Sequence, residues 1–410
     1  MFGADQRLVP VRPNVEDPRE RMRLAAYTDD PYVRSGDSVG AVMPFALFLA
    51  AMGEHVDRFV LLGRVASDRG QVPVALPAGV EVRELPWWED LSRPAGFLGA
   101  VPGSLRAFWA VLGEVDTVLL FGPSPLGLLF AALTRLRGRR LAIGVRMDYL
   151  GYVRHRHPGR RGLLAVAQAS ELAWRALARF VPTVVVGSEL ADRYRNARRL
   201  LDTSISLVGE ADIADPGRAA PGTSGPVRIL SVGRIDVEKN PLLLAEILAD
   251  LVGGGGAWHL VVCGDGPMTA ALADRLEALG VSRHAELAGF VGRSDELRKR
   301  YRSADVFLHV SWTEGVPQVL SEAWGSALPV VATDVGGVRA AAGPAAALVP
   351  PGDAAAACAA VRRVVADDDL RARLVEHGLE RARNRTREST TAEVVAFLGG
   401  AASPMPGRAG

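Results

Sequence analysis

At 410 residues, with 49% hydrophobic side chains, the chain can bury a large core and is long enough for two or three domains of ordinary size. Its formal net charge of +2 gives no overall pull toward nucleic acid or a membrane surface. Two cysteines, Cys263 and Cys358, cannot make a disulfide framework and read as small core residues in a reducing compartment.

The first residues, with Asp5, Arg7, Arg12 and Glu16 among prolines, lack the apolar centre of a secretion signal. A strand is predicted at 23–27, then a loop over 28–38 holding Asp29, Asp30, Ser35, Gly36 and Asp37, a helix over 39–52 and a strand at 59–62. Further strands are predicted at 80–82, 117–121, 141–146 and 183–187, with the longest helix over 161–179. This alternation fits a doubly wound parallel sheet. The apolar runs 41–52 and 117–134 are broken by Pro44 and by Pro123 and Pro125, short of the ~20 residues a spanning helix needs. A cytoplasmic location is expected.

The stretch 215–226, rich in proline and glycine, reads as a linker. Beyond it the alternation repeats, with strands at 227–232, 258–263, 285–288, 305–309 and 329–333, and helices near 241–252, 268–279, 295–302 and 317–324. Ligands in such sheets sit at the carboxyl ends of the strands, and the chemistry-bearing motifs begin there. Gly233 and Arg234 lead to Lys239, Asn240 and Pro241; Gly264, Asp265, Gly266 and Pro267 follow the next strand; Gly289, Phe290, Val291 and Gly292 follow the third. Glu314, Gly315, Val316, Pro317 and Glu322 put two carboxylates eight residues apart on a loop-to-helix junction. Pro317 suits the first turn of a helix, whose unpaired amides would point at an anion. Of the 48 basic residues only Lys239 and Lys299 are lysines. A compact ammonium retained inside the first of these blocks suits a crowded phosphate pocket better than a planar guanidinium does.

The blocks beginning at Gly233, Gly264 and Glu314 resemble, in order and spacing, those of the bacterial retaining glycosyltransferases of family 4. The resemblance covers roughly the C-terminal half and is loose in the N-terminal half. It implies an α/β fold of the GT-B class, with two Rossmann-like doubly wound domains facing each other across a cleft. The expected domains are 1–212, acceptor-binding; a linker, 213–226; 227–385, nucleotide-sugar-binding; and 386–410, a helix returning toward the first domain followed by a disordered tail.

The resemblance assigns catalytic roles to Arg234 and Lys239, on the departing diphosphate, and to Glu314, on donor-sugar hydroxyls. It places Gly36, Gly233, Gly264, Gly266, Pro267, Phe290, Val291, Gly315, Val316, Pro317 and Glu322 around the donor, with Glu322 on the ribose. Asp37, Arg146 and Asp148 are acceptor-side candidates, the last two standing where many relatives carry a histidine; an interdomain ion pair is their alternative. Trp324, Ser326 and Ala340 depart from the family pattern. The implied activity is metal-independent, retaining sugar transfer from a nucleotide-diphosphate sugar to an acceptor hydroxyl, with no cofactor. The rivals are an epimerase or hydrolase on the same scaffold, or a non-catalytic binding subunit. From 135 to 199 there are 15 arginines against four acidic residues, which reads as a solvated basic face or as a patch for acceptor or membrane surface; no aromatic interleaving suggests nucleic acid. His55, His259, His284, His309 and His377 show no metal-ligand spacing, and ordinary packing is expected for them.

Overall fold

The computed structural model describes residues 22–36, 38–66, 74–89, 91–157, 159–215, 225–292, 295–315 and 317–400. Most of the expected linker, the expected tail, Asp37 and Val316 lie outside them.

The first sheet contains β1 (Arg23–Ser35), β2 (Ser38–Ala41), β3 (Arg58–Ala66), β4 (Val74–Ala75), β5 (Glu81–Leu85), β6 (Thr117–Gly122), β7 (Arg140–Val145), β8 (Pro182–Val186) and β9 (Arg199–Thr203). Seven strands run parallel in the order β5-β3-β1-β6-β7-β8-β9, while β2 and β4 add an antiparallel extension beside β1. The second sheet contains β10 (Val227–Val232), β11 (Trp258–Cys263), β12 (Ala285–Gly289), β13 (Val306–His309), β14 (Val330–Thr333) and β15 (Ala346–Val349), all parallel in the order β12-β11-β10-β13-β14-β15. In both sheets the chain works outward from the centre, returns and works outward the other way, which makes β1/β6 and β10/β13 the points where strand order reverses.

Period-2 alternation sends successive residues of each strand to opposite faces. Ala25, Tyr27, Val118, Leu120 and Ile143 pack with the helices Pro94–Val111, Pro125–Leu136 and Arg161–Ala178. Leu24, Ala26, Leu119, Phe121 and Ala142 pack on the other face with the helix Phe45–Ala51 and with Val394, Val395, Phe397 and Leu398 of the last helix, Arg387–Gly399. That helix is fastened further where Thr203 Oγ1 donates to Glu393 at 2.8 Å. The second sheet splits in the same way, Leu260, Val262 and Leu308 facing one cluster and Leu230, Cys263 and Phe307 the other. Both faces of both sheets are covered, so the strands read as unbroken apolar runs.

One segment differs from expectation. Residues 28–41 are not a loop leading into a helix: β1 continues past an irregularity between Tyr27 and Pro31 and turns back into β2, pairing Ser35 with Ser38. Gly36 adopts φ +57° in that turn, so its backbone freedom serves the turn rather than a phosphate loop at a helix start. The helix begins only at Phe45, after Pro44. The short strands β2, β4, β9 and β15 were not foreseen.

Phe130 joins these layers: it is fully buried, stacked on Phe108 at 4.0 Å and set edge-on to Tyr27 at 4.9 Å. Phe130→Ala is expected to lower stability by roughly 3–5 kcal/mol, seen as a lower urea midpoint with an unchanged slope.

Candidate functional site

The loops at the carboxyl ends of β10, β11 and β12 are laced together through their backbones. The amide of Gly233 donates to Cys263 O at 3.0 Å, Ile235 to Asp265 O at 3.0 Å, Met268 to Ile235 O at 3.0 Å and Gly264 to Gly289 O at 2.8 Å. A Cβ on Gly264 would lie 1.8 Å from the Gly233 carbonyl oxygen, and one on Gly266 would lie 2.3 Å from that of Ile235. These two glycines are therefore required by loop-on-loop packing. Pro267 and Phe290 are exposed at the rim, and Val291 packs toward the core.

Beside this platform, Glu314 is held from several sides. Lys239 Nζ donates to its Oε1 at 2.5 Å and Ser311 Oγ donates to the same oxygen at 2.7 Å. His309 Nε2 lies 3.1 Å from it, outside hydrogen-bond alignment. The Glu314 side chain is only 9% exposed. Burial pushes its carboxyl up, but neighbouring His309 and then the Lys239 ammonium outweigh that and hold it down at about 2. Its backbone is fixed as well, because the Gly337 amide donates to Glu314 O at 3.2 Å and Gly336, at φ +50°, leaves no room for a Cβ, which would lie 1.9 Å from that carbonyl oxygen. Thr333 Oγ1 in turn donates to Ser311 O at 2.8 Å. All three side-chain contacts fall on Oε1, so Oε2 keeps its acceptor capacity for an incoming hydroxyl.

His309 was assigned to ordinary packing, and the structure corrects that: it ends β13 and faces the carboxylate. Ser311 was not singled out at all. The only cue in the sequence was their position, five and three residues before Glu314, just past a strand end.

Arg234 stands apart from this pair. Its side chain is 70% exposed and bridges to Asp236 at 3.1 Å and Glu238 at 3.4 Å, on the same turn that delivers Lys239. Glu322 Oε2 accepts from Tyr301 OH at 2.9 Å and lines a pocket of roughly 30 Å³ with Val208, Asp212, Leu297 and Arg298. Pro317 caps rather than opens the helix Gln318–Gly325, with ψ 122°, and Gly315 beside it is exposed. Asp236 Oδ1, Asn240 Nδ2 and Gln318 Oε1 are buried without a hydrogen-bond partner among the described residues. Buried polar atoms are rarely left so, and unpaired ones around one loop cluster mark a place where a polar ligand completes the bonding. Trp324, unusual for the family, donates its ring N–H to Ala345 O at 2.9 Å and packs closely enough that a Cβ on Gly378 would lie 2.7 Å from its ring; it belongs to the core.

In the first domain Arg146 pairs with Asp30 at 2.5 Å and lies 4.6 Å over the Phe45 ring, while Asp148 accepts from Arg193 at 2.7 Å. Both pairs are internal to that domain, so the interdomain alternative is not what the structure shows. Asp29, named in the sequence only as a loop residue and not as a site candidate, accepts from Tyr27 OH at 3.2 Å; burial is the main cause that pushes its carboxyl up to about 6, with Arg64 opposing.

Residues 218–381 match the family described as glycosyl transferases group 1. Among curated proteins, the amylovoran biosynthesis glycosyltransferase AmsD of Erwinia amylovora is 36% identical over 107 residues, 26% of this chain and 29% of that protein; the match thus spans under a third of the relative's length. Among solved structures, sucrose-phosphate synthase from Thermosynechococcus elongatus superposes with a TM-score of 0.65 at 17% identity, over 92% of this chain and 98% of that one. Anabaena HepE in complex with UDP and glucose gives 0.65 at 17%, over 92% and 99%. The fold is therefore GT-B, two Rossmann-like domains facing each other across a cleft.

The depressed carboxyl makes a pH-dependent statement. Glu314 contributes stability that is present above its ordinary value of 4.5 and is lost as pH falls toward about 2. Glu314→Gln is expected to cost on the order of 1–3 kcal/mol at neutral pH, with the gap from wild type closing between those two pH values in paired thermal melts; a gap independent of pH would show that the charge is not what holds the loop.

Proposed function

We propose that the chain is a retaining, metal-independent glycosyltransferase of the hexosyl type that moves a sugar from a nucleotide-diphosphate sugar to an acceptor hydroxyl, as a cytoplasmic step of carbohydrate biosynthesis. The observation that carries this reading is the buried Glu314 carboxylate, anchored by Lys239 beside the start of the helix Gln318–Gly325, inside the segment that matches the group 1 family. HepE, on the same fold, was solved with UDP and glucose, which supports a donor of that kind here.

In this reading the donor lies on the second domain and the acceptor on the first. Glu314 Oε2 and Glu322 accept hydroxyls of the sugar and the ribose. A diphosphate arriving beside Lys239 competes with Glu314 for the ammonium, and Arg234 reaches it from the exposed rim. The bond from C1 to the diphosphate oxygen breaks as the acceptor oxygen bonds to C1 on the same face, and the acceptor proton passes to the departing phosphate oxygen. The protein supplies orientation and a fixed field for the leaving charge.

The two cations separate in a test. Arg234→Ala should keep its melting temperature, because the side chain is largely exposed, and lose roughly 10²–10³ in turnover. Lys239→Ala should lose turnover and stability together, since it strands a buried carboxylate. Turnover and melting would be measured with whichever member of a nucleotide-sugar panel binds in calorimetry. Normal turnover in Arg234→Ala would remove the phosphate assignment; free sugar or an epimer formed without acceptor would favour a hydrolase or epimerase, and binding without turnover a non-catalytic subunit.

A further inference from the structure

The first domain has a second chemically distinct end. Its cleft side carries the carboxyl ends of the strands; at the opposite side the helices Pro94–Val111, Pro125–Leu136 and Arg161–Ala178 stop just before β6, β7 and β8 begin. Three large apolar side chains stand out there: Trp109 is 37% exposed, Leu136 75% and Phe180 64%. Arginine contacts tie them into one patch. The Arg137 guanidinium lies 4.2 Å over the Trp109 ring, and Arg135 donates to Phe180 O at 3.4 Å. The partners described for these two arginines are thus a ring and a carbonyl, not a carboxylate, and Arg179, next to Phe180, is exposed.

A cation at a helix C-terminus is accounted for by the helix dipole. Protruding Leu, Trp and Phe tips among such cations are not, since nothing among the described residues buries them. We propose that this end of the first domain docks peripherally on an anionic lipid bilayer, with Trp109, Leu136 and Phe180 entering the interfacial layer and Arg135, Arg137 and Arg179 meeting lipid phosphates. Tryptophan, phenylalanine and leucine favour the interface, and guanidinium forks match phosphate oxygens. Charge selects the occupant: Arg135, Arg137 and Arg179 stand exposed around the apolar tips, so a second copy would oppose cation to cation across the patch, whereas an anionic bilayer complements it. Strands of about six residues separate the two ends, so the docked chain holds its cleft roughly 20 Å above the lipid, open to solvent. The docking does not depend on what the cleft transfers.

The test is co-sedimentation of the purified chain with vesicles of phosphatidylcholine alone and of phosphatidylcholine mixed with phosphatidylglycerol. The chain is expected to partition onto the mixed vesicles, weakly or not at all onto the neutral ones, and less as salt rises. Leu136→Ser combined with Phe180→Ser should weaken partition about ten-fold with an unchanged melting temperature, and Arg135→Gln with Arg137→Gln should weaken it while flattening the salt dependence. Equal binding to both vesicle types, no sedimentation with either, or unaltered partition in the double serine variant overturns the proposal. So does a dimer in gel filtration that Phe180→Ser dissociates, because the patch would then be a contact between copies.

Discussion

The ion pair between Lys239 and Glu314 is the constraint on which the second domain's chemistry rests. Seventy-five residues separate the partners, and they meet because β10 and β13 are neighbours in the sheet, Ile229 against Val306 and Leu230 against Phe307. The reversal of strand order therefore does two things: it opens a crevice, and it lines up the loop carrying the ammonium with the loop carrying the carboxylate. A backbone bond from the Trp312 amide to Glu238 O at 2.8 Å ties the two loops directly. A buried carboxylate costs several kcal/mol unless it is well paired. Here Lys239, Ser311 and His309 converge on a single oxygen, and the glycine turn at 336 and 337 grips the main chain. The loop is thereby set before any ligand arrives, as a preorganised site requires.

That arrangement leaves the pair able to change partners. An ammonium with one carboxylate partner exchanges readily when a dianionic group enters, because the compact charge rotates freely among acceptors. The Glu314 loop keeps its place when this happens, since Ser311 Oγ still donates to the carboxylate and the Gly337 amide to the Glu314 carbonyl. Arg234, by contrast, is itself 70% exposed and bridges to Asp236 and Glu238 of its own turn, and pairs of so exposed a cation contribute little; its freedom to swing inward suits a group that meets charge only as it develops.

Much of the second domain was legible. Parallel strands buried on both faces read as apolar runs closed by glycine, so β10 and β11 match their predicted bounds and the motif loops fall at strand ends. The first domain was harder. Residues 39–52 have helical apolar spacing, yet Val33 and Tyr32 of β1 pair with β2 and take the first part of that stretch into the sheet; tertiary pairing overrides a local periodic pattern. The helix Pro94–Val111 contains Pro102 and several glycines, which hides it from propensity. His309 could not be read from spacing at all, because its partner is reached through the end of a strand rather than along a helix face. The glycines at 264 and 266 read as a backbone turn near a ligand, and the structure adds that they are also contacts of loop with loop, since both demands select the same residue for the same reason, room for a backbone.

Parallel strands also explain why the first domain has chemically distinct ends. In an all-parallel sheet every strand finishes on one side and every connecting helix finishes on the other, so helix N-termini gather at the cleft and C-termini at the far end. Arg135 and Arg175 lie in the last turns of two of these helices, where the helix carbonyls point, so topology already favours cations at that end. The apolar tips are the added element: Leu136 and Phe180 flank positions at which a polar residue would cost the fold nothing, as neither is part of the buried core. A surface on which topology already concentrates positive charge needs only a few exposed apolar side chains to become adhesive for anionic lipid. Because topology puts that surface opposite the cleft side of the first domain, docking there would turn the cleft away from the membrane, toward acceptors that extend into solvent.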